Sequence, residues 1–171
     1  MRDFQLPGRS PVFAENGMVA TSHPLAAQTA IRLLQDGGNA VDAAVGAAVL
    51  LGFCEPQMTG IGGDLFAVVK PAGSERIVAL NGSGRAPAAL SADGLREACH
   101  EKMPSDGAQS VTLPAAVDAF CRLSEDWGRI GLYASLAPAI RYAGDGVPVA
   151  PRVAFDWEAA QARLTGHARR A

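Results

Sequence analysis

The sequence predicts an α+β protein in which a pair of helices is followed by a β-hairpin and then by a mainly helical half. Apolar residues recur at helical spacing before residue 54 and again after residue 115, while two short runs rich in Val, Ile and Leu lie between residues 65 and 80. The two strand-type runs are neighbours in the chain and do not alternate with helices, so a parallel βαβ sheet is not indicated. The 171 residues, 49% of them hydrophobic, suit one domain of ordinary size.

The first predicted helix begins at Pro24 and ends at the Gly37–Gly38 pair. Proline suits the first turn of a helix, the hydroxyl of Ser22 is placed to cap it, and glycine is a common terminator. Ahead of this helix, residues 18–20 are predicted to form a short strand and residues 1–16 an irregular lead. The apolar face of the helix consists of Ala26, Ala27, Ala30, Ile31, Leu33 and Leu34.

The central element of the chain is a predicted helix from Ala40 to Phe53, with Asn39 as its N-cap. The segment is apolar on all sides, so we expect it to be buried on most faces, and its 14 residues are too few for a typical membrane span. Asp42 is interpreted as a first-turn acid stabilised by the helix dipole. Gly46 costs about 1 kcal/mol relative to Ala inside a helix, which predicts that a neighbouring element packs on its bare Cα.

A β-hairpin follows, with strands predicted at Leu65–Val69 and Arg76–Leu80. Further along, Ser91 is predicted to begin a short amphipathic helix that runs to about Lys102, and residues 110–113 are predicted to form a strand. Three more helices are predicted, at residues 115–127, 133–143 and 151–164.

Composition argues against several functions. The net charge is −2 and no basic block is present, which argues against a nucleic-acid binder. The three cysteines and three histidines are scattered, without a CxxC or similar spacing, so we predict no metal site, no disulfide framework and no cofactor. The first 16 residues contain charges and prolines but no apolar h-region, which predicts a cytoplasmic protein without a signal peptide or a membrane partner.

Two short patterns suggest chemistry without establishing it. Gly60–Gly63 is similar to a phosphate-binding loop, but such loops follow a strand and open a helix, and here the order is reversed. A tight turn with positive φ, able to floor an active site, is the preferred interpretation. Ser22 and His23 are adjacent, but the sequence identifies no acidic third member of a catalytic triad.

Arg85 is the candidate ligand-binding residue. It lies between Gly84 and Ala86-Pro87, where little else competes for space. A guanidinium can clamp a carboxylate through two parallel hydrogen bonds, and the hydroxyl of Ser83 is positioned to donate one more.

Several longer stretches resemble the gamma-glutamyltranspeptidase family. They are VATSHPLA at Val19–Ala26, GGNAVDAA at Gly37–Ala44, EPQMTGIGGDLF at Glu55–Phe66, SVTLPAAVDAF at Ser110–Phe120 and LAPAIRYAGDGVPVAPR at Leu136–Arg152. The resemblance extends from about residue 17 to residue 155 in one register and without large gaps. We therefore expect residues 17–171 to form part of one domain of this family.

The resemblance implies the N-terminal portion of the αββα sandwich of N-terminal nucleophile hydrolases. In the family, a precursor cleaves itself ahead of a threonine, and that threonine becomes the N-terminus of a small subunit. Its hydroxyl attacks a gamma-glutamyl amide such as that of glutathione, and the acyl group then passes to water or to an amine. The chain resembles only the N-terminal part of the large subunit. The nucleophile and the oxyanion glycines lie outside the matched region, so no catalytic residue is assigned, and the remainder of the large subunit and the small subunit are the expected partners.

The resemblance also locates the substrate-binding segment. The family's glutamyl-binding arginine lies in a segment of the form Arg-Glu-x-Ala-Pro. Aligned on Ala86-Pro87, this arginine falls at Ser83 and the glutamate at Gly84, and Arg85 is offset by two positions. Two residues on in an extended segment returns a side chain to the same face, so Arg85 and Ser83 are the predicted substrate-binding residues. The Ser-Gly-Arg-Ala-Pro form resembles the branch of the family closer to cephalosporin and glutaryl acylases.

We therefore interpret the chain as an N-terminal fragment of a gamma-glutamyltranspeptidase-like hydrolase. The parent enzyme is expected to hydrolyse or transfer a gamma-glutamyl or similar acyl group from an amide, and the chain alone is expected to be inactive. Two alternatives stay open: a fragment of a cephalosporin or glutaryl acylase, and a non-catalytic pseudoenzyme or binding subunit. The DNA downstream of Ala171 distinguishes them, because an in-frame continuation or an adjacent frame with a nucleophile threonine supports the enzyme.

Overall fold

The structure, a computed structural model, describes residues 11–98, 101–104 and 107–168, with the backbone alone for residues 162–168. The predicted mixture of helix and sheet is confirmed. The helices are α1 (Pro24–Gln35), α2 (Ala40–Cys54), α3 (Ala92–Glu97), α4 (Ala116–Trp127), α5 (Leu132–Asp145) and α6 (Pro151–Ala168). One antiparallel sheet is present in the described part of the chain, made of β1 (Leu65–Val69) and β2 (Val78–Gly82), and a short 3₁₀ turn covers Ala108–Ser110.

Helix α2 lies at the centre of the fold and packs against α1, α4 and α5. Its predicted cap is confirmed: Oδ1 of Asn39 accepts hydrogen bonds from the backbone N–H groups of Val41 (2.9 Å) and Asp42 (3.2 Å). The carboxylate of Asp42 accepts a bond from the backbone N–H of Asn39 (2.8 Å), which completes a capping box. The expected burial is confirmed as well, with buried positions at Asp42, Ala43, Val45, Gly46, Ala47, Leu50 and Cys54.

Asp42 makes more hydrogen bonds than its interpretation as a first-turn acid predicts. Its side chain is 1% exposed. The carboxylate also accepts hydrogen bonds from the backbone N–H of Arg129 (2.9 Å to Oδ2), the backbone N–H of Ile130 (3.4 Å) and the hydroxyl of Ser135 (3.2 Å). A buried carboxylate is tolerated when its oxygens are satisfied in this way. Asp42 thus ties the α4–α5 connection to the N-terminus of α2.

Gly46 confirms the prediction that another element packs on its bare Cα. A Cβ placed on it would lie 2.6 Å from the carbonyl oxygen of Ser135 in α5 and 2.5 Å from Cδ1 of Leu33 in α1. Both distances are far shorter than a van der Waals contact, so a side chain at this position would separate the helices.

The N-terminus of α1 differs from the prediction in one detail. His23, and not Ser22, is the N-cap, and its Nδ1 accepts a hydrogen bond from the backbone N–H of Leu25 (3.2 Å). Proline at the first helical position is confirmed. Residues 18–20 form no strand, because the structure gives them no ladder partner; Val19 instead packs on the α1–α2 pair.

The hairpin is confirmed, but its second strand begins two residues later than predicted. Leu65 pairs with Gly82 and Val69 with Val78. The two strands alternate between half-buried and exposed positions. The half-buried side of both strands packs against α2 and α4, and the other side leaves Phe66 69% exposed and Val68 74% exposed.

The remaining elements agree with the sequence in kind but not always in extent. Helix α3 starts after Ser91, as predicted, but ends at Glu97; the predicted continuation passes through residues 99 and 100, which lie outside the described residues. The strand predicted at residues 110–113 is wrong: Ser110 ends the 3₁₀ turn, and residues 111–113 join no strand ladder in the described part of the chain. Helices α4, α5 and α6 are confirmed. None of the described helices is both long and apolar enough to cross a membrane.

Candidate functional site

Three segments meet at one end of the hairpin. Because Leu65 pairs with Gly82, the residue before β1 and the residues after β2 are brought side by side. The third segment, residues 111–115, runs from the 3₁₀ turn into α4 and lies against the other two. We call these residues, 60–64, 83–85 and 111–115, the three-segment junction.

The side chain of Asp64 holds two parts of the junction together. Its Oδ1 accepts a hydrogen bond from the backbone N–H of Gly84 (2.8 Å) and another from the hydroxyl of Thr112 (3.2 Å). One carboxylate oxygen therefore contacts segments that lie 20 and 48 residues further along the chain.

Gly84 is pressed against the third segment. A Cβ placed on it would lie 1.7 Å from the carbonyl oxygen of Leu113, so no side chain fits at this position without a shift of the backbone. On the same side, the backbone N–H of Leu113 donates a hydrogen bond to the carbonyl oxygen of Arg85 (3.0 Å). The backbone of residues 84 and 85 is thus fixed by both of its neighbours.

The glycine-rich loop supports α4 and does not resemble a phosphate cradle. The carbonyl oxygen of Gly63 accepts hydrogen bonds from the backbone N–H groups of Ala115 (3.1 Å) and Ala116 (2.9 Å). These donors need a partner because α4 has no side-chain cap. The expectation of positive φ in this loop is wrong, since none of Gly60, Gly62 and Gly63 has one. The loop is held by the turn of its backbone into β1 and by these two bonds.

Both predicted substrate-binding side chains, Ser83 and Arg85, are exposed at the junction. The backbone N–H of Ser83 donates to Oδ1 of Asn81 (3.0 Å), and its hydroxyl lies 3.5 Å from the carbonyl oxygen of Gly84. Among the described residues, no side chain pairs with the guanidinium of Arg85. The guanidinium is therefore available to an anionic ligand.

Ser22 and His23 do not form a catalytic pair. The hydroxyl of Ser22 donates to Oε2 of Glu55 (2.5 Å), and the Nδ1 of His23 is used for the helix cap. No local sequence pattern marks Glu55 as a partner of Ser22, because the two residues are 33 positions apart. A serine nucleophile needs its hydroxyl to face the histidine that acts as the base. The hydroxyl of Ser22 faces the carboxylate of Glu55 instead.

Cys54, the last residue of α2, is buried. Burial raises the pKa of the Cys54 thiol, and the nearby charge of Glu55 raises it further, so this cysteine is held in its unreactive form. No group of three or more His, Cys, Asp or Glu side chains within the described residues could hold a metal ion. An apolar groove of about 430 Å³ lies at the other end of the hairpin, near Lys70 and Trp127, away from Arg85.

The fold defines the class. A layer of helices packs on one face of an antiparallel hairpin, and the solved structures that superpose on the chain are N-terminal nucleophile hydrolases; the chain has the N-terminal portion of their αββα sandwich. Within that class, the chain belongs to the gamma-glutamyltranspeptidase family, whose sequence profile matches residues 26–170.

Three similar proteins show how much of the family the chain covers. The Bacillus subtilis glutathione hydrolase-like YwrD proenzyme is 36% identical over 139 residues, which are 81% of this chain and 26% of that protein. The crystal structure of cephalosporin acylase from Bacillus halodurans superposes with a TM-score of 0.85 at 45% identity, covering 96% of this chain and 31% of the other. Helicobacter pylori gamma-glutamyltranspeptidase superposes with a TM-score of 0.84 at 28% identity, covering 92% and 46%. The chain spans about a quarter of the length of the curated relatives it matches.

Proposed function

We propose that the chain is the N-terminal part of the large subunit of a gamma-glutamyltranspeptidase-like hydrolase, and that Arg85, with Ser83, binds the carboxylate of the acyl donor. The complete enzyme hydrolyses or transfers a gamma-glutamyl or similar acyl group from an amide. Residues 17–171 are then part of one domain that the rest of the large subunit and the small subunit complete. The single observation that supports this most is the exposed guanidinium of Arg85, which pairs with no side chain among the described residues and lies on a backbone fixed from both sides.

The chain on its own is proposed to be inactive. The hydroxyl of Ser22 bonds to Glu55 and the Nδ1 of His23 caps α1, so this pair supplies no activated nucleophile. The gamma-glutamyltransferase chemistry of the family is therefore assigned to a threonine that the completing segment supplies.

A second candidate is an acylase for glutaryl-type side chains. Two observations favour it: the arginine stands at position 85 and a serine at position 83, and the cephalosporin acylase structure is 45% identical. Glutaryl and gamma-glutamyl groups carry a carboxylate at the same distance from the amide, and only the gamma-glutamyl group has an α-ammonium. The ratio of kcat/KM for gamma-glutamyl-p-nitroanilide to that for glutaryl-p-nitroanilide therefore separates the two functions.

The role of Arg85 is tested in the complete enzyme with two donors, glutaryl-p-nitroanilide and pentanoyl-p-nitroanilide, which differ in the carboxylate. Arg85→Ala should lower kcat/KM for the glutaryl donor about 30- to 800-fold, because a bidentate charged contact is lost. This corresponds to a loss of about 2–4 kcal/mol in transition-state binding. Arg85→Lys should recover part of this, since Lys lacks the planar fork.

The control for this test is Arg76→Ala, an exposed arginine at the other end of the hairpin. It should leave both donors within about threefold of the parent, well under 1 kcal/mol. If Arg85→Ala also stays within threefold for the glutaryl donor, Arg85 is not the anchor. If the complete protein turns over no acyl donor, the pseudoenzyme alternative replaces the proposal.

A further inference from the structure

The side chain of Asp64 joins Thr112 to Gly84, the residue immediately before Arg85. The Oδ1 of Asp64 accepts the backbone N–H of Gly84 at 2.8 Å and the hydroxyl of Thr112 at 3.2 Å. The described part of the chain shows no ion pair between Asp64 and Arg85, so the aspartate is not the counter-ion of the guanidinium. Its contacts are to the backbone on one side and to a hydroxyl on the other.

The contacts at Gly84 also set the direction of its two neighbours. The face of Gly84 that would carry a side chain is closed by the carbonyl oxygen of Leu113. Successive side chains of an extended segment point to opposite faces, so Ser83 and Arg85 point away from the third segment. Their burial agrees with this, since both are exposed while Gly84 is half-buried.

Recognition of a carboxylate by one arginine depends on the position of the arginine Cα. Its side chain is long, so a fixed guanidinium position needs a fixed Cα, and a misplacement of about 1 Å in a binding group can cost about 100-fold in rate. Within the described residues, the backbone around Gly84 is held from outside the loop by Asp64 on one side and by the Leu113 segment on the other.

We propose that Asp64 and Thr112 are positioning residues that determine specificity for a carboxylate-bearing acyl donor. Asp64 acts as a hydrogen-bond acceptor, a role that does not require its negative charge, and it fixes the backbone of the loop that carries Arg85. Thr112 fixes the orientation of the Asp64 carboxylate. This inference rests on the proposed function of Arg85. It differs from a catalytic role for Asp64, because an acceptor needs lone pairs and a general base or a counter-ion needs the negative charge.

The kinetic test measures the same two donors with Asp64→Ala, Asp64→Asn, Thr112→Val and Thr112→Ser in the complete enzyme. Asp64→Ala should raise KM for the glutaryl donor about tenfold or more and leave the pentanoyl donor within about threefold. Asp64→Asn should restore most of the specificity, because its Oδ1 still accepts both bonds. Thr112→Val should lose part of the specificity and Thr112→Ser should retain it. Asp126→Ala, an exposed acid on α4, is the matched control.

A second measurement uses the 171-residue chain and needs no activity. Asp64→Ala should speed hydrogen exchange of the Gly84 amide at least tenfold, and Asp64→Asn should leave it near the parent rate. An unchanged rate in Asp64→Ala overturns the inference. So does an equal loss for both donors, or an Asp64→Asn variant as impaired as Asp64→Ala. If Arg85→Ala has no effect on kcat/KM while exchange of the Gly84 amide responds as expected, the hydrogen bond between Asp64 and Gly84 stands as a structural feature. The proposed function then fails, and with it the role of Asp64 in specificity.

Discussion

The carbonyl oxygen of Ser135 lies 2.6 Å from the point where a Cβ on Gly46 would sit. Helices α2 and α5 therefore approach each other more closely than any residue other than glycine would permit. Cδ1 of Leu33 closes the same space from α1, but it belongs to a side chain that can rotate, whereas the carbonyl of α5 moves only with its helix. The approach of three helices thus depends on one missing methyl group.

Gly46→Ala should destabilise the chain although alanine is the better helix former. The gain in helix propensity is about 1 kcal/mol, and overpacking against a backbone atom costs about 1–3 kcal/mol, so we expect a net loss of up to about 2 kcal/mol. Gly52→Ala is the matched control, because a Cβ there would lie 3.5 Å from Gly60, an ordinary contact. Urea unfolding of the two variants checks this, and a Gly46→Ala variant at least as stable as Gly52→Ala would contradict it.

Asp42→Ala should lower the free energy of unfolding by about 3–5 kcal/mol, because it leaves several buried donors without an acceptor. Asp42→Asn should fall between Ala and the parent, since it keeps one acceptor oxygen but points an amide at other donors. Asp118→Ala removes an exposed first-turn acid from α4 and should cost no more than about 0.5 kcal/mol. Equal effects of Asp42→Ala and Asp118→Ala in urea titrations would show that the dipole interaction is all that Asp42 contributes.

Val45→Asp should prevent folding. Val45 is 1% exposed among α2, α4 and the hairpin, and an unpaired buried charge costs several kcal/mol. Ala44→Asp places the same charge one residue earlier on the exposed side of α2 and should leave a cooperative thermal transition. A near-parental Tm for Val45→Asp, measured by circular dichroism, would place α2 on the surface.

Cys54 should react with iodoacetamide at pH 8 at least tenfold more slowly than Cys121, judged by peptide mass spectrometry. Cys54 is 3% exposed and its thiol pKa is raised by burial, whereas Cys121 is half-buried. Since the folded pKa lies above the ordinary value of 9.0, the thiol's contribution to stability is complete below that pH and declines as the pH rises through the folded pKa. Equal labelling rates of the two cysteines in the folded chain would contradict the burial.

The outer face of the hairpin should make the 171-residue chain self-associate. Phe66 and Val68 are adjacent on this face and both are more than two-thirds exposed. In the described part of the chain, no further strand pairs with the outer edge of β1 or β2. The double variant Phe66→Thr with Val68→Thr should bind less of an apolar dye and shift sedimentation towards the monomer. Phe13→Thr, an exposed aromatic outside the hairpin, should change neither. A monodisperse, cooperatively unfolding parent chain would contradict the prediction.

Local sequence patterns predicted most of the helices and strands, but they did not predict the contacts between distant segments. The Asn39 cap and the close packing at Gly46 follow from residue type and spacing within one helix. The bond from the Ser22 hydroxyl to Glu55 does not, because Glu55 lies 33 residues further on. Nothing in the local sequence marks that glutamate as a partner.

The junction around Arg85 shows the same limit at the candidate site. The predicted strand bounds would pair Leu65 with Leu80, whereas the structure pairs it with Gly82. A shift of two residues keeps each side chain on its face but moves Asp64 away from Gly84, so the hydrogen bond between these two residues could not be predicted. The correct register would have indicated it, since residue 64 then lies beside residue 83.

The bond between Asp42 and Arg129 also has a consequence for the order in which the chain folds. It closes a loop of 87 residues, at an entropic cost of about 4 kcal/mol from loop length alone. The α1–α2 pair closes over a short connection and can form first. At about 5–20 residues per second, synthesis delivers Ser135 about 5–20 s after Asp42, which lies 93 residues earlier. We therefore expect the nascent helix pair to persist for seconds with the Asp42 carboxylate hydrated, and the α4–α5 connection to displace that water as the helical layer closes.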